Sequence, residues 1–220
     1  MKTRDRIIQA SLALFNERGE RNVTTNHIAA HLKISPGNLY YHFRNKTDII
    51  YSLFLSYKGL VDQYLSVPEG RALKMEDKMG YLEAVFDGLW YYRFFHRDLE
   101  YLLDSDPRLR KDYRSFTLQC LGAIKAIVRG LEAGSILHMR SEDEREAVAL
   151  NTWLVVTNWM AFLKTAHADD DENGDIDRQQ LKQGIYQVLT MEMPYVEPAY
   201  QETVRLLREQ YRPAPVSMQA

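Results

Sequence analysis

Cysteine is nearly missing from this chain: Cys120 is the single one in 220 residues. That excludes an intrachain disulfide and a cysteine-built metal cluster, and it fits a reducing compartment. Long hydrophobic runs are missing as well. None approaches the roughly 18 apolar residues a membrane-spanning helix needs, and the opening MKTRDRIIQA is charged rather than signal-like. A cytoplasmic protein with no membrane partner is the expectation.

Catalytic groupings are equally scarce. The chain has no glycine-rich phosphate loop and no G-x-S-x-G, and Cys120 sits beside Leu118 and Leu121 within amphipathic patterning, a poor place for a nucleophile. His96, His138 and His167 are scattered without the i, i+4 pairing of a zinc site. Glu100, Asp104 and Asp106 are interleaved with Arg97, Arg108 and Arg110, the pattern of a salt-bridged outer face. No enzyme activity, cofactor or metal is expected.

What is present is helical. With 45% hydrophobic and 26% charged residues the chain can bury a core. No segment alternates with period two for long enough to be a strand. Thr3 is placed to cap a first helix to about Arg18, with Ile7, Ile8, Leu12, Leu14 and Phe15 on its apolar face and Gly19 as its stop. A longer helix starts at Thr47, with Asp48 favouring its N-terminal end, and Val67-Pro68-Glu69-Gly70 is a break. Helical patterning then runs over 74–95, 107–133, 141–166, 177–193 and 197–210. The expected fold is all-α: an N-terminal three-helix domain over 1–46, a larger helical bundle over 47–210 and a frayed, proline-rich tail over 211–220.

Residues 24–46, TTNHIAAHLKISPGNLYYHFRNK, carry the most information. Thr24 or Thr25 can cap a helix whose Ile28, Ala29 and Leu32 share a face. Lys33-Ile34-Ser35 then breaks the pattern, Ser35 caps again, and Pro36 takes the first helical position, where its missing N–H costs nothing. Leu39 and Phe43 face inward, leaving Gly37, Asn38, Tyr40, Tyr41 and His42 in the first turn and on the outer face. Two short helices joined by such a turn make a helix-turn-helix, whose second helix enters the DNA major groove. The charge distribution agrees. Eight Lys/Arg against three acids give the first 46 residues +5, so with −2 overall the other 174 carry −7, the pattern of a basic DNA-binding head on an acidic body.

The string SPGNLYYHFRNK resembles the recognition helix of the tetracycline-repressor (TetR) family of bacterial transcription regulators, and the resemblance covers roughly residues 3–65. It implies phosphate contacts from Thr25, Tyr40, Tyr41, His42 and Lys46, and puts Pro36, Gly37 and Asn38 at the leading edge of the reading helix. Asn38 has the amide to pair bidentately with adenine, Gly37 permits close approach, and Pro36 or the Tyr41 ring suits a thymine methyl. The chain departs from the family at Lys33, where glycine is usual. A lysine there pays strain if φ is positive, and it could also reach a phosphate.

The resemblance also implies a small-molecule sensor. Aromatics at helical spacing pack as core first, yet the dense group around Phe86, Trp90 and Phe94, with Tyr113 and Trp153, is the expected lining for an apolar or aromatic effector or an acyl chain. EAVALNTWLVVTNWMAFL, residues 146–163, is apolar on more than one face and demands cover on more than one side. Trp153, Val156 and Trp159, with Ile185, Val188 and Leu189 of the next stripe, are the expected homodimer interface, two helices from each chain packing about a two-fold axis; core helices of a monomer are the other reading. Residues 169–180, DDDENGDIDRQQ, follow a calcium loop at five positions, but Gln180 in the twelfth cannot supply the closing carboxylate, and Asp177 with Gln180 reads as a capping box.

These features converge on a homodimeric, effector-released repressor that reads a palindromic operator in double-stranded DNA. A helical small-molecule carrier or enzyme with a helix-turn-helix-like start is the alternative. A constitutive architectural DNA-binding protein is a third reading, for which so large an aromatic body is unnecessary.

Overall fold

The computed structural model describes residues 2–166 and 176–213. These form, in order, α1 (Thr3–Arg18), α2 (Thr25–Leu32), α3 (Pro36–His42), α4 (Lys46–Tyr64), α5 (Met75–Tyr91), α6 (Arg93–Arg97), α7 (Leu99–Ser105), α8 (Pro107–Ala133), α9 (Glu142–Ala166), α10 (Arg178–Lys182), α11 (Gly184–Glu192) and α12 (Gln201–Glu209). The fold is all-α. Among the described residues the only β pairing is an isolated bridge between Leu137 and Val196, and no helix is long and apolar enough to cross a membrane.

Several expected elements take a different form. Thr3 is the first residue of α1 rather than its cap, which falls on Lys2 without a side-chain bond. The stretch expected to run from 74 to 95 stops at Tyr91 and resumes at Arg93. The 177–193 stretch divides at Gln183, and α12 begins only after a 3₁₀ turn at Pro198–Tyr200. The short α7 lies in the segment read as an alternating charged face, held inward by the buried Leu102. Asp177 and Gln180 do form a capping box, each side chain accepting the other's backbone N–H. The rest of the calcium-like loop, and His167, lie outside the described residues.

Packing divides the chain into two units, and the division does not fall at residue 46. The first unit joins the chain up to Val61 with Tyr91–Phe116; the second joins Asp62–Trp90 with the residues from Thr117 onward. In the first, Ile7, Leu14 and Phe15 of α1 are buried, as are Ile28 of α2, Leu39 of α3 and Ile49, Leu53 and Phe54 of α4. Each such side chain contributes about 1.5–3 kcal/mol of apolar burial, which holds helices too short to stand alone. The second unit is organised around Phe86 and Leu89 of α5, Val128 and Leu131 of α8, Met160 and Leu163 of α9, and Ile185, Val188 and Leu189 of α11. Inside it lies a buried ion pair, Lys78 of α5 with Glu192 of α11. At its surface Lys182 of α10 bonds Glu83 and Asp87 of α5.

Candidate nucleic-acid interface

The reading device is built from three local rules. At the start of α2, Thr24 Oγ1 accepts from the His27 backbone N at 3.2 Å, and His27 Nδ1 accepts from the Thr24 backbone N at 3.3 Å, a capping box with histidine where glutamate or glutamine is usual. At its end Lys33 adopts the left-handed conformation, φ 55° and ψ 41°, and Ile34 N donates to Ala29 O at 3.0 Å, a Schellman stop. The strain condition posed for Lys33 is therefore met, at about 1 kcal/mol. Ser35 Oγ then accepts from Asn38 N at 3.2 Å and Pro36 opens α3.

Leu39 and Phe43 point into the core, which turns the remaining face of α3 outward. Pro36, Gly37 and Asn38 are exposed at its leading end. Tyr40 is 49% exposed and Tyr41 85%. Tyr40 OH lies 3.0 Å from Thr25 Oγ1, joining α3 to the first residue of α2, and the Tyr41 ring meets His42 edge-on at 5.1 Å. Lys33 and Arg44 are exposed beside this face.

Lys46 behaves otherwise. Its Nζ donates to Glu20 O and Val23 O, both at 3.0 Å, and pairs with Glu20 Oε1 at 2.7 Å. Those bonds engage all three ammonium donors, so the side chain braces the domain rather than facing a phosphate. Asn45 Oδ1 caps α4 by accepting from Asp48 N at 2.8 Å. His27 was missed from sequence. With Nδ1 acting as acceptor, the ring proton lies on Nε2 of an exposed side chain. The available signal was its position three residues after a capping threonine.

The expected effector lining divides between the units. Phe94 and Tyr113 belong to the first, where Phe94 packs on Phe15 with ring centroids 5.3 Å apart and Tyr113 on Phe54, Phe95 and Phe116. Phe86 is fully buried in the core of the second, with Trp90 packed partly buried against that core. Trp153 is half-buried on α9. Beside Phe95, His96 Nε2 bonds Tyr57 OH at 2.9 Å while its Nδ1 is buried without a partner. Burial pushes this imidazole down to about 4.

The interface expectation needs correcting in the same way. Ile185, Val188 and Leu189 are 0% exposed and Trp159 8%, covered by their own chain, so they have no surface left to offer a partner. The apolar side chains that α9 leaves outside are Leu150, Leu154 and Phe162, at helical spacings of four and eight, beside the half-buried Trp153 and Val156.

Two family models match the sequence: one described as bacterial regulatory proteins, tetR family, over residues 7–53, and one described as bacterial transcriptional repressor over residues 56–204. The chain belongs to the TetR family. A crystal structure of a TetR-family transcriptional regulator from Marinobacter aquaeolei VT8 is 64% identical with a TM-score of 0.90, the match covering 97% of this chain and 100% of that one. An HTH-type transcriptional regulator of Staphylococcus aureus (strain MRSA252) is 36% identical over 122 residues, 52% of this chain and 60% of the relative. A probable acrEF/envCD operon repressor of Escherichia coli (strain K12) is 32% identical over 69 residues, 30% of this chain and 31% of the relative. This TetR-family chain is thus a transcriptional regulator, and the alignment with those two curated relatives spans less than two thirds of their length.

Proposed function

We propose that this regulator is a homodimeric repressor whose two α3 helices read successive major grooves of a palindromic operator and are withdrawn by a small apolar or aromatic effector. The observation that carries the reading is the outer face of α3. Tyr41 is 85% exposed, a ring held in water that gains by packing on a thymine methyl or a sugar. Asn38 hydrogen-bonds a base edge, Gly37 allows close approach, and Pro36 adds an apolar contact. Thr25, Lys33, Tyr40 and His42 bind phosphates, which set register. Lys46 acts from behind by fixing the start of α4.

Dimerisation runs through α9, with Leu150, Leu154 and Phe162 joining Trp153 and Val156 across the two-fold axis. A single seven-residue α3 buries too little to bind specifically under cellular salt, so two are required. The effector works only if it binds the non-reading state better than the reading one. Aromatic side chains with polar tips in the second unit, Trp90 and Trp153, suit a flat apolar molecule with one polar end.

Tyr41→Ala tests the assignment. Light scattering should report an intact dimer, while anisotropy with an operator duplex reports affinity reduced about tenfold, the effect of losing roughly 1.4 kcal/mol. Wild-type affinity in that variant would remove α3 as the reader.

A further inference from the structure

The interruption between α5 and α6 leaves backbone groups that helix geometry alone does not satisfy, and the partners come from α1. Asn16 Nδ2 donates to Tyr91 O at 2.8 Å, and Asn16 Oδ1 accepts from Phe94 N at 3.0 Å. Tyr91 ends α5 and Phe94 lies in the first turn of α6, so one amide side chain serves a terminal carbonyl of one helix and an early N–H of the next. The arrangement is reciprocal. Arg97 of α6 donates from Nη2 to Phe15 O at 2.8 Å, a carbonyl in the last turn of α1. Just beyond α1, the Arg21 guanidinium lies over the Tyr101 ring, 4.1 Å from its centroid, and 3.8 Å from Asp98. Phe15 and Phe94 pack beneath these polar contacts.

We infer that Asn16 is a positioning residue: within the first unit it latches the end of α1, which backs the helix-turn-helix, to the Tyr91–Phe94 turn, and so braces the reading head from behind. The turn sits where the chain passes from the second packing unit into the first, between Trp90 and Tyr91. With these bonds in place the last turn of α1 is tied to the end of α5 and the start of α6 through Asn16 and Arg97. This rests on α3 being the DNA reader.

The test uses the full-length protein, with hydrogen exchange read at the Phe94 amide and anisotropy read on an operator duplex and on a scrambled one. Asn16→Ala should speed exchange at Phe94 and weaken operator binding about tenfold, within the range usual for coupling between sites, with scrambled-duplex binding unchanged. Asn16→Asp keeps the acceptor for Phe94 N and should keep that amide protected. Should Asn16→Ala fail to fold, Arg97→Ala opens the same junction from the other side, with the same loss of operator affinity expected. Unchanged exchange at Phe94 in Asn16→Ala overturns the latch. Faster exchange with operator affinity within twofold of wild type overturns its role in positioning the head. A wild-type protein that ignores the operator while Asn16→Ala still exposes Phe94 overturns the DNA-reading assignment instead, and the positioning role with it.

Discussion

Lys46 at the start of α4 and Glu20, just beyond α1, form an ion pair of 2.7 Å in which the carboxylate is 2% exposed and the lysine 28%. Removing the lysine strands a buried charge, which typically costs about 3 kcal/mol or more. Lys46→Met should therefore lower the urea midpoint sharply, and the double variant with Glu20→Gln should recover part of the loss. Full stability with reduced DNA affinity in Lys46→Met would instead make Lys46 a phosphate contact.

Lys33 carries positive φ in the turn of the reading motif. Glycine there relieves about 1 kcal/mol of strain and returns part of it as unfolded-state entropy. Lys33→Gly should be as stable as wild type or up to about 1 kcal/mol more stable in urea, while the slope of log affinity against log salt falls by about one phosphate's worth. An unchanged slope would remove Lys33 from the phosphate contacts.

Gly184 opens α11 against aromatic side chains. A Cβ built there meets Phe86 at 2.5 Å and Trp159 at 2.8 Å. Overpacking of this kind costs about 1–3 kcal/mol, so Gly184→Ala should lower the melting temperature by several degrees. An unshifted transition would mean that α11 does not sit this tightly.

His96 gives the fold a pH dependence. Its imidazole is pushed down to about 4 when folded, from an ordinary 6.5, so between those values the unfolded chain binds the additional proton. Stability from this group is complete above pH 6.5 and is lost as pH falls toward 4, by about 3 kcal/mol at most. Urea midpoints at pH 7 and pH 5 should differ in wild type and differ less in His96→Phe. The same drop in both proteins would locate the acid sensitivity elsewhere.

The helix-turn-helix was legible because its signals are local. Ser35 and Pro36 fix the start of α3, and the spacing of Leu39 and Phe43 fixes which side faces the core. Sequence alone points Lys46 at a phosphate because its actual partners, Glu20 and the carbonyls of Glu20 and Val23, are distant in sequence. Ile185, Val188 and Leu189 were read as a dimer stripe because periodicity gives a helix's apolar face without saying what covers it; Phe86 and α9 of the same chain do. The break at Tyr92 left no mark in composition, and the side chain that bonds across it, Asn16, comes from α1.

The central claim is that α3 reads a DNA sequence. Fluorescence anisotropy of the wild-type protein with the DNA upstream of its own coding region, at two salt concentrations and against a scrambled duplex, tests it directly. Tight binding confined to the upstream duplex and weakened by salt is the predicted result. Equal binding to both duplexes, or binding to neither, would contradict it.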